Sequence, residues 1–585
     1  MAWRFKSGTS EYSNSSICEI WIIWFEGCKV RINSMIPPQT YSRIMVSGTY
    51  TGRFGSEAHV RYSYSSLTLV FSCTYFPFEI SLFLKLVSPL LTLAPVFSLE
   101  YSRYLHTVLF LFSFLCVTAC IAAFTTGMSF AWSAPVLEEL LSKESPIPMS
   151  PNEGSWVVAI IEIGNYLSPI PAGMLVNRIG RKWSLLMTGP ITTASWIIAM
   201  YSRSVLGLYV MRTLQGFSMA AIYVISPMYL GEISETSIRG TIGTLFQISC
   251  HLGILYTYVL GSELSYMNYL TYSLIIPIIF TVTFMFMPES PYFYAIKNQE
   301  GKAIESLKWL RNKTADQVQS ELQIIKQNTS KNVERTNFRE FMGRSNMKAF
   351  VFMAFLAVFR AFTGVQSIIA YANTIFASSE TFLPSDYISI LFAIILLVSI
   401  FPSTYYIDRA GRRVLFLVSS AGCSLFSFIA GLYYYVTIEL QYEIPYTSWV
   451  PFLSISLLGV FFNLGFGPLF TPLLSEYFSS NMKAVSCAVI NILCTTLGLI
   501  SYKLFFLMDK HIGMYSNFLF GGVSSLVCTV YLYYFLLETK GKTFNEIQYM
   551  FKYGKNEYMA SLYSQQPLKN GNIQDNKESV VVSKI

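Results

Sequence analysis

From Tyr104 onward, apolar stretches of about 20 residues alternate with short polar breaks. They fall near 104–127, 154–176, 183–201, 206–230, 240–262 and 268–287. After a charged stretch they resume near 347–373, 387–407, 414–437, 448–474, 484–507 and 515–537. Each is long enough to cross a bilayer, and a helix bonds every backbone group within the segment. The pattern predicts an all-α membrane protein with twelve transmembrane helices in two six-helix halves. The expected division is an N-terminal extension at 1–103, a six-helix bundle at 104–288, an insert at 289–345, a second bundle at 346–537 and a polar tail at 538–585. Within the extension, the apolar run 66–97 is interrupted by Pro77, Glu79, Lys85 and Pro89. It reads as an interfacial segment, an extra span or an upstream extension. No signal-peptide pattern opens the chain, and no function is assigned there.

The two halves are echoed in polar landmarks. Asn177-Arg178-Ile179-Gly180-Arg181-Lys182 recurs as Asp408-Arg409-Ala410-Gly411-Arg412-Arg413. Glu232 with Arg239 recurs as Glu476 with Lys483, and Pro288-Glu289-Ser290 is matched by Glu538-Thr539-Lys540. Three landmarks in one order, at nearly one offset, point to a duplicated bundle.

Composition narrows the class. The chain is 53% apolar and 13% charged, where soluble globular chains carry roughly 25% charge. Its net charge of +8 falls mostly in loops and reads as a positive-inside bias rather than a nucleic-acid patch. That bias places both arginine turns, the insert and the C-terminal tail in the cytoplasm. The opposite loops carry Glu138, Glu139 and Glu144, Glu380 and Asp386, and Glu439 and Glu443. The N-x-S/T matches at Asn312 and Asn328 then lie inside and stay unglycosylated. Ten Cys are scattered without a C-x-x-C pair, and four His lack ligand spacing, so no metal, disulfide framework or cofactor is implied. In the insert, Ala303, Ile304, Leu307 and Leu310, then Val318, Leu322 and Ile325, recur at helical spacing. Two or three short amphipathic helices against the bundle's cytoplasmic end are expected.

Two sets of residues carry a mechanism. The first is the cytoplasmic charges Arg178, Arg181, Glu232, Arg239, Arg409, Arg412, Glu476 and Lys483. In an alternating-access carrier they can tie the halves together on the inside and release when that side opens. Such a network needs to supply only a few kcal/mol; the plainer role is topology and loop solubility. The second set lies at mid-membrane depth: Gln247 in the fifth stretch, Thr363 and Gln366 beside Gly364 in the seventh, and Asn463 with Gly465, Gly467 and Pro468 in the tenth. Glycine and proline let helices unwind beside a cavity, and amides offer paired donors and acceptors to a hydroxyl-rich solute. Interhelical bonding is the competing role of a buried amide. Arg360, also in the seventh stretch, is an intramembrane cation and a site candidate by default, with Glu162 as a possible partner.

With these motifs in place, the chain from about 104 to 550 resembles the sugar porter family of the major facilitator superfamily. The resemblance rests on Asn177–Lys182, Pro227-Met-Tyr-Leu-Gly-Glu232, Arg239-Gly240, Pro288-Glu-Ser-Pro291, Asp408–Arg413 and Glu538-Thr-Lys-Gly-Lys-Thr543. The run Phe130-Ala-Trp-Ser-Ala-Pro-Val-Leu137 is similar to insect facilitated trehalose transporters. The resemblance implies a central sugar site contacted by Gln247, by the segment 360–366 and by the tenth stretch around 463–471. The chain departs from the family at four pocket positions. Arg360-Ala361 stands where relatives have Gln-Gln, and Gln366 where they have Asn. The tenth-stretch motif ends Leu469-Phe470-Thr471 without its Trp, and Cys494-Thr495 replaces Asn-Trp.

Proton-driven members carry an acid in the first span, and the run Thr125–Ser129 has none. The expectation is therefore a facilitated uniporter of a hexose or trehalose in the plasma membrane. Proton symport, with Glu162 as its acid, and a non-transporting sugar sensor are the alternatives. The expected partners are a small sugar and the lipid bilayer, with no nucleic acid and a monomeric carrier. No catalytic triad or phosphate loop suggests an enzyme.

Overall fold

Polar residues that suggest the end of the first stretch instead satisfy themselves within the helix. Thr125 and Thr126 donate to the Ala122 carbonyl, and Ser129 to that of Thr125. Back-bonding of this kind hides the hydroxyls. The helix therefore runs Thr118–Leu141, past the expected end at 127, and Glu138 and Glu139 sit on its last turns rather than in a loop. This computed structural model describes residues 118–145, 147–234, 239–330, 344–378, 382–442, 447–478, 480–539, 546–547 and 550. The extension 1–103, its run 66–97 and most of the tail lie outside the described residues.

Among the described residues, nine helices are long and apolar enough to cross a membrane, or ten if a bent pair counts as one span. That is fewer than the expected twelve. Thr118–Leu141 is the first segment. The second is the bent pair, Pro151–Leu167 and Pro169–Ile179, which turns by 41°. The third is split into Arg181–Leu186 and Thr188–Tyr201, too short in either piece to span. The fourth is Val205–Ile233, the fifth Arg239–Glu263 and the sixth Tyr266–Phe284. The fifth carries Gln247 and His251 within its length and is not among the nine. After the insert come the seventh, Asn346–Ala370, the eighth, Ser385–Ile407, and the ninth, Arg412–Glu439. The tenth is Val450–Leu474, the eleventh Ser486–His511 and the twelfth Met514–Phe535.

Packing repeats between the halves. The fourth segment packs on the second and third, and the third on the sixth. Correspondingly, the ninth packs on the tenth and twelfth. Small residues permit the closest approach. A Cβ on Gly216 would lie 1.9 Å from the Ile161 carbonyl oxygen, so any side chain there would push the second and fourth segments apart. Across the halves, the fifth segment packs on the eighth and the eleventh on the second, as a duplicated unit requires.

The insert contains Pro291–Ile296, Glu300–Arg311 and Ala315–Ser330. Ala295, Ala303, Leu307, Val318, Leu322 and Ile325 form its own small apolar cluster. Buried Arg311 pairs with Glu321 at 2.8 Å and donates to the Ile233 carbonyl, fastening the insert to the end of the fourth segment.

Candidate functional site

Each arginine turn is held by two carboxylates of its own half. Gly180 takes φ +100°, and the next helix starts at Arg181 with unsatisfied backbone N–H groups. The Glu289 carboxylate accepts from the backbone N–H of Arg181 at 2.9 Å, Lys182 at 3.0 Å and Ser290 at 2.8 Å. An anion at a helix N-terminus is favourably placed. Burial nevertheless raises the Glu289 carboxyl above its ordinary range, opposed by those donors. The Arg181 guanidinium meets Glu232 at 2.9 Å, and Ser290 Oγ also donates to Glu232. In the second half Gly411 takes φ +85°, and Glu538 accepts from the N–H of Arg412 and Arg413, each at 3.1 Å. Arg412 meets Glu476 at 3.2 Å.

Among the described residues, the ion pairs of both turns join segments of the same half. Arg178 is exposed, and Arg409 lies over the Tyr405 ring at 4.0 Å. The side chains of Arg239 and Lys483 lie outside the described residues. Sequence reading missed the capping role of Glu289 and Glu538, although both belong to the repeated landmarks.

The halves clasp on the face away from these turns. Ser133 Oγ donates to the Ala370 carbonyl at 2.9 Å, and Tyr258 to that of Ile369 at 2.6 Å. Lys503 Nζ donates to Ser155 at 2.7 Å and Asn152 at 3.2 Å, and lies 4.4 Å from the Trp156 ring. One face is sealed between halves, while the described ion pairs on the other stay within each half.

Between the two faces lie the mid-depth candidates. Gly364, at φ +79°, breaks the seventh segment, and Gly465 breaks the tenth. Gln247 and Gln366 are half-buried, and their side-chain amides make no hydrogen bond to described residues. Thr363 is buried and donates to the Arg360 carbonyl at 2.8 Å. Thr471 is exposed. Asn463 is committed to interhelical bonds: its amide donates to Ser399 Oγ at 2.9 Å, to the Leu396 carbonyl at 3.2 Å and to His251 Nε2 at 3.4 Å. His251 Nδ1 faces the Gln247 carbonyl at 3.0 Å. A neutral ring protonated on Nδ1 satisfies both contacts. His251 is thus a polar bridge between the fifth and tenth segments.

Arg360 is half-buried, its guanidinium 5.3 Å from the Phe470 ring and 6.0 Å from that of Phe462. The proposed pairing with Glu162 is corrected: no ion pair joins them among the described residues. Glu162 is buried and accepts from Asn165 Nδ2 at 2.9 Å. A second intramembrane cation, Arg212, was missed. It is 1% exposed and donates to the carbonyls of Val157 and Ser129 and to Gln215 Oε1, with Trp132 at 5.4 Å. Its presence inside the fourth apolar stretch was the available signal. Two shallow surface grooves lie elsewhere, one between the ninth and twelfth segments and one beside Leu141 and Thr374.

The Sugar (and other) transporter family matches residues 104–551, most of the chain. The chain belongs to this family. Membership makes it a membrane transporter rather than an enzyme, and among the described residues no cluster fit to hold a metal occurs. The facilitated trehalose transporter of Polypedilum vanderplanki is 25% identical over 77% of this chain and 90% of its own length. That of Aedes aegypti is also 25% identical over 77% of this chain, which spans only 56% of that protein's length. The inward-open conformation of the xylose transporter XylE from E. coli aligns with a TM-score of 0.63 at 19% identity, over 74% of this chain and 98% of that one. A peptide transporter POT in complex with sulfate aligns at 0.54 with 13% identity, over 72% and 93%. The fold is therefore that of a major facilitator carrier.

Proposed function

We propose that this family member is a facilitated sugar carrier of twelve membrane crossings, moving a hexose or trehalose across the plasma membrane by alternating access. The third and fifth segments supply the two remaining crossings. The arginine turns, insert and tail face the cytoplasm on this reading, by the positive-inside rule. The observation that carries it is the pair Gln247 and Gln366. Their half-buried amides make no hydrogen bond to described residues, one in each half, so a hydroxyl-rich solute can take both donor and acceptor. The curated descriptions of the insect relatives support trehalose as the solute to try first.

The direct test is uptake of labelled glucose and trehalose into liposomes holding the full chain, with and without a pH gradient. Saturable flux that ignores the gradient is expected. Flux that collapses with it would establish symport instead, a reading favoured by the burial of Glu162 against Gly498 of the eleventh segment. Glu162→Gln would then abolish the coupling. Binding without flux would mark a sensor. Gln247→Ala is expected to raise the half-saturation concentration about fivefold, the loss of about 1 kcal/mol of hydrogen bonding, at unchanged protein level. Unchanged kinetics would reduce Gln247 to packing.

A further inference from the structure

The charges at the centre of the bundle do not balance. One acidic and two basic side chains are described there: Glu162, Arg212 and Arg360. Arg212 is enclosed by two backbone carbonyls and Gln215, and Glu162 is held by Asn165. Arg360 has neither kind of support. Its Nε is buried without a hydrogen-bond partner, no carboxylate pairs with it among the described residues, and two phenyl rings are its near contacts. Both rings belong to the tenth segment, on either side of its break at Gly465. A cation at membrane depth is expensive without a counter-charge or water. A guanidinium offers a planar fork of donors matched to a carboxylate.

We propose that Arg360 selects an anionic sugar, a sugar acid whose carboxylate meets the guanidinium while its hydroxyls meet Gln247 and Gln366. The proposal rests on the carrier reading above and names the solute's charge. Phe462 and Phe470 hold the cation in place between turnovers through their ring faces. The carboxylate displaces whatever water solvates the free fork. Each anion carries one charge across, so its uptake responds to membrane potential, and uptake of a neutral sugar does not.

The test uses the full chain in liposomes, with labelled glucuronate and glucose at equal concentration and an imposed potassium-diffusion potential. Glucuronate is expected to enter about tenfold faster, equivalent to about 1.4 kcal/mol. An inside-positive potential should drive its accumulation, and excess glucuronate should block glucose entry. Arg360→Gln should reverse the preference, and Arg360→Lys should keep it at reduced rate. Glucose entry that ignores excess glucuronate would overturn the proposal and leave the carrier reading standing. Absence of flux and binding for both solutes would overturn the two together. If the Gln variant does not fold, competition and potential dependence in the unmutated chain still decide.

Discussion

Arg212→Met is expected to lower the thermal midpoint of the detergent-purified carrier by roughly 5–10 °C and to abolish uptake. The side chain is among the largest fully buried groups in the protein. It joins three elements at once, donating to Ser129 of the first segment, Val157 of the second and Gln215 of its own helix. Removing it strands the carbonyls and leaves Gln215, whose Nε2 already lacks a partner, with no bond from either amide atom. Breaking a buried charged network of this kind costs about 3–5 kcal/mol. Arg212→Lys retains the charge but not the fork, and should fall between the two. A Met variant with unchanged midpoint and uptake would show that these bonds carry no net stability.

The second large effect is a difference between two equivalent glycines. Gly180→Ala should reduce folded, transport-competent protein far more than Gly411→Ala. Both positions take positive φ with extended ψ, a region costing an L-residue about 1–3 kcal/mol. At Gly180 an added Cβ would also lie 2.2 Å from Glu289 Oε2, whose carboxylate is fixed by three backbone donors and cannot swing away freely. At Gly411 the corresponding Glu538 Oε2 is 2.8 Å away and accepts from Arg413, while Oε1 accepts from Arg412. Comparing the two variants by size-exclusion recovery and uptake checks the ranking. Equal losses would mean that backbone strain alone decides.

The helices and their duplication were legible because hydrophobic length and repeated charged turns are properties of neighbouring residues. What escaped was set by partners far apart in sequence. Arg212 is satisfied mainly by backbone carbonyls, which every residue type offers, so no spacing could reveal it. His251 gains its meaning only when Asn463 arrives from the other half. Asn463 was read as a solute contact; its Nδ2 also reaches the eighth segment and His251, partners that its own stretch does not announce. The arginine turns are a different case. Their acids and bases were rightly grouped, but sequence could not say that each pair closes within its own half. The first helix outran its expected end because hydroxyls that look polar in a string are bonded to their own backbone.

The central claim is that the two halves rock about a site closed on one face at a time. Paired spin labels can measure it in the full-length protein, one pair at exposed Glu144 and Lys510 on the clasped face and another at exposed Arg178 and Ala410 beside the arginine turns. Alternating access predicts that adding transported sugar lengthens distances in the first pair's distribution and shortens them in the second's, in reciprocal proportion. Both distributions staying fixed while labelled sugar crosses the membrane would contradict it.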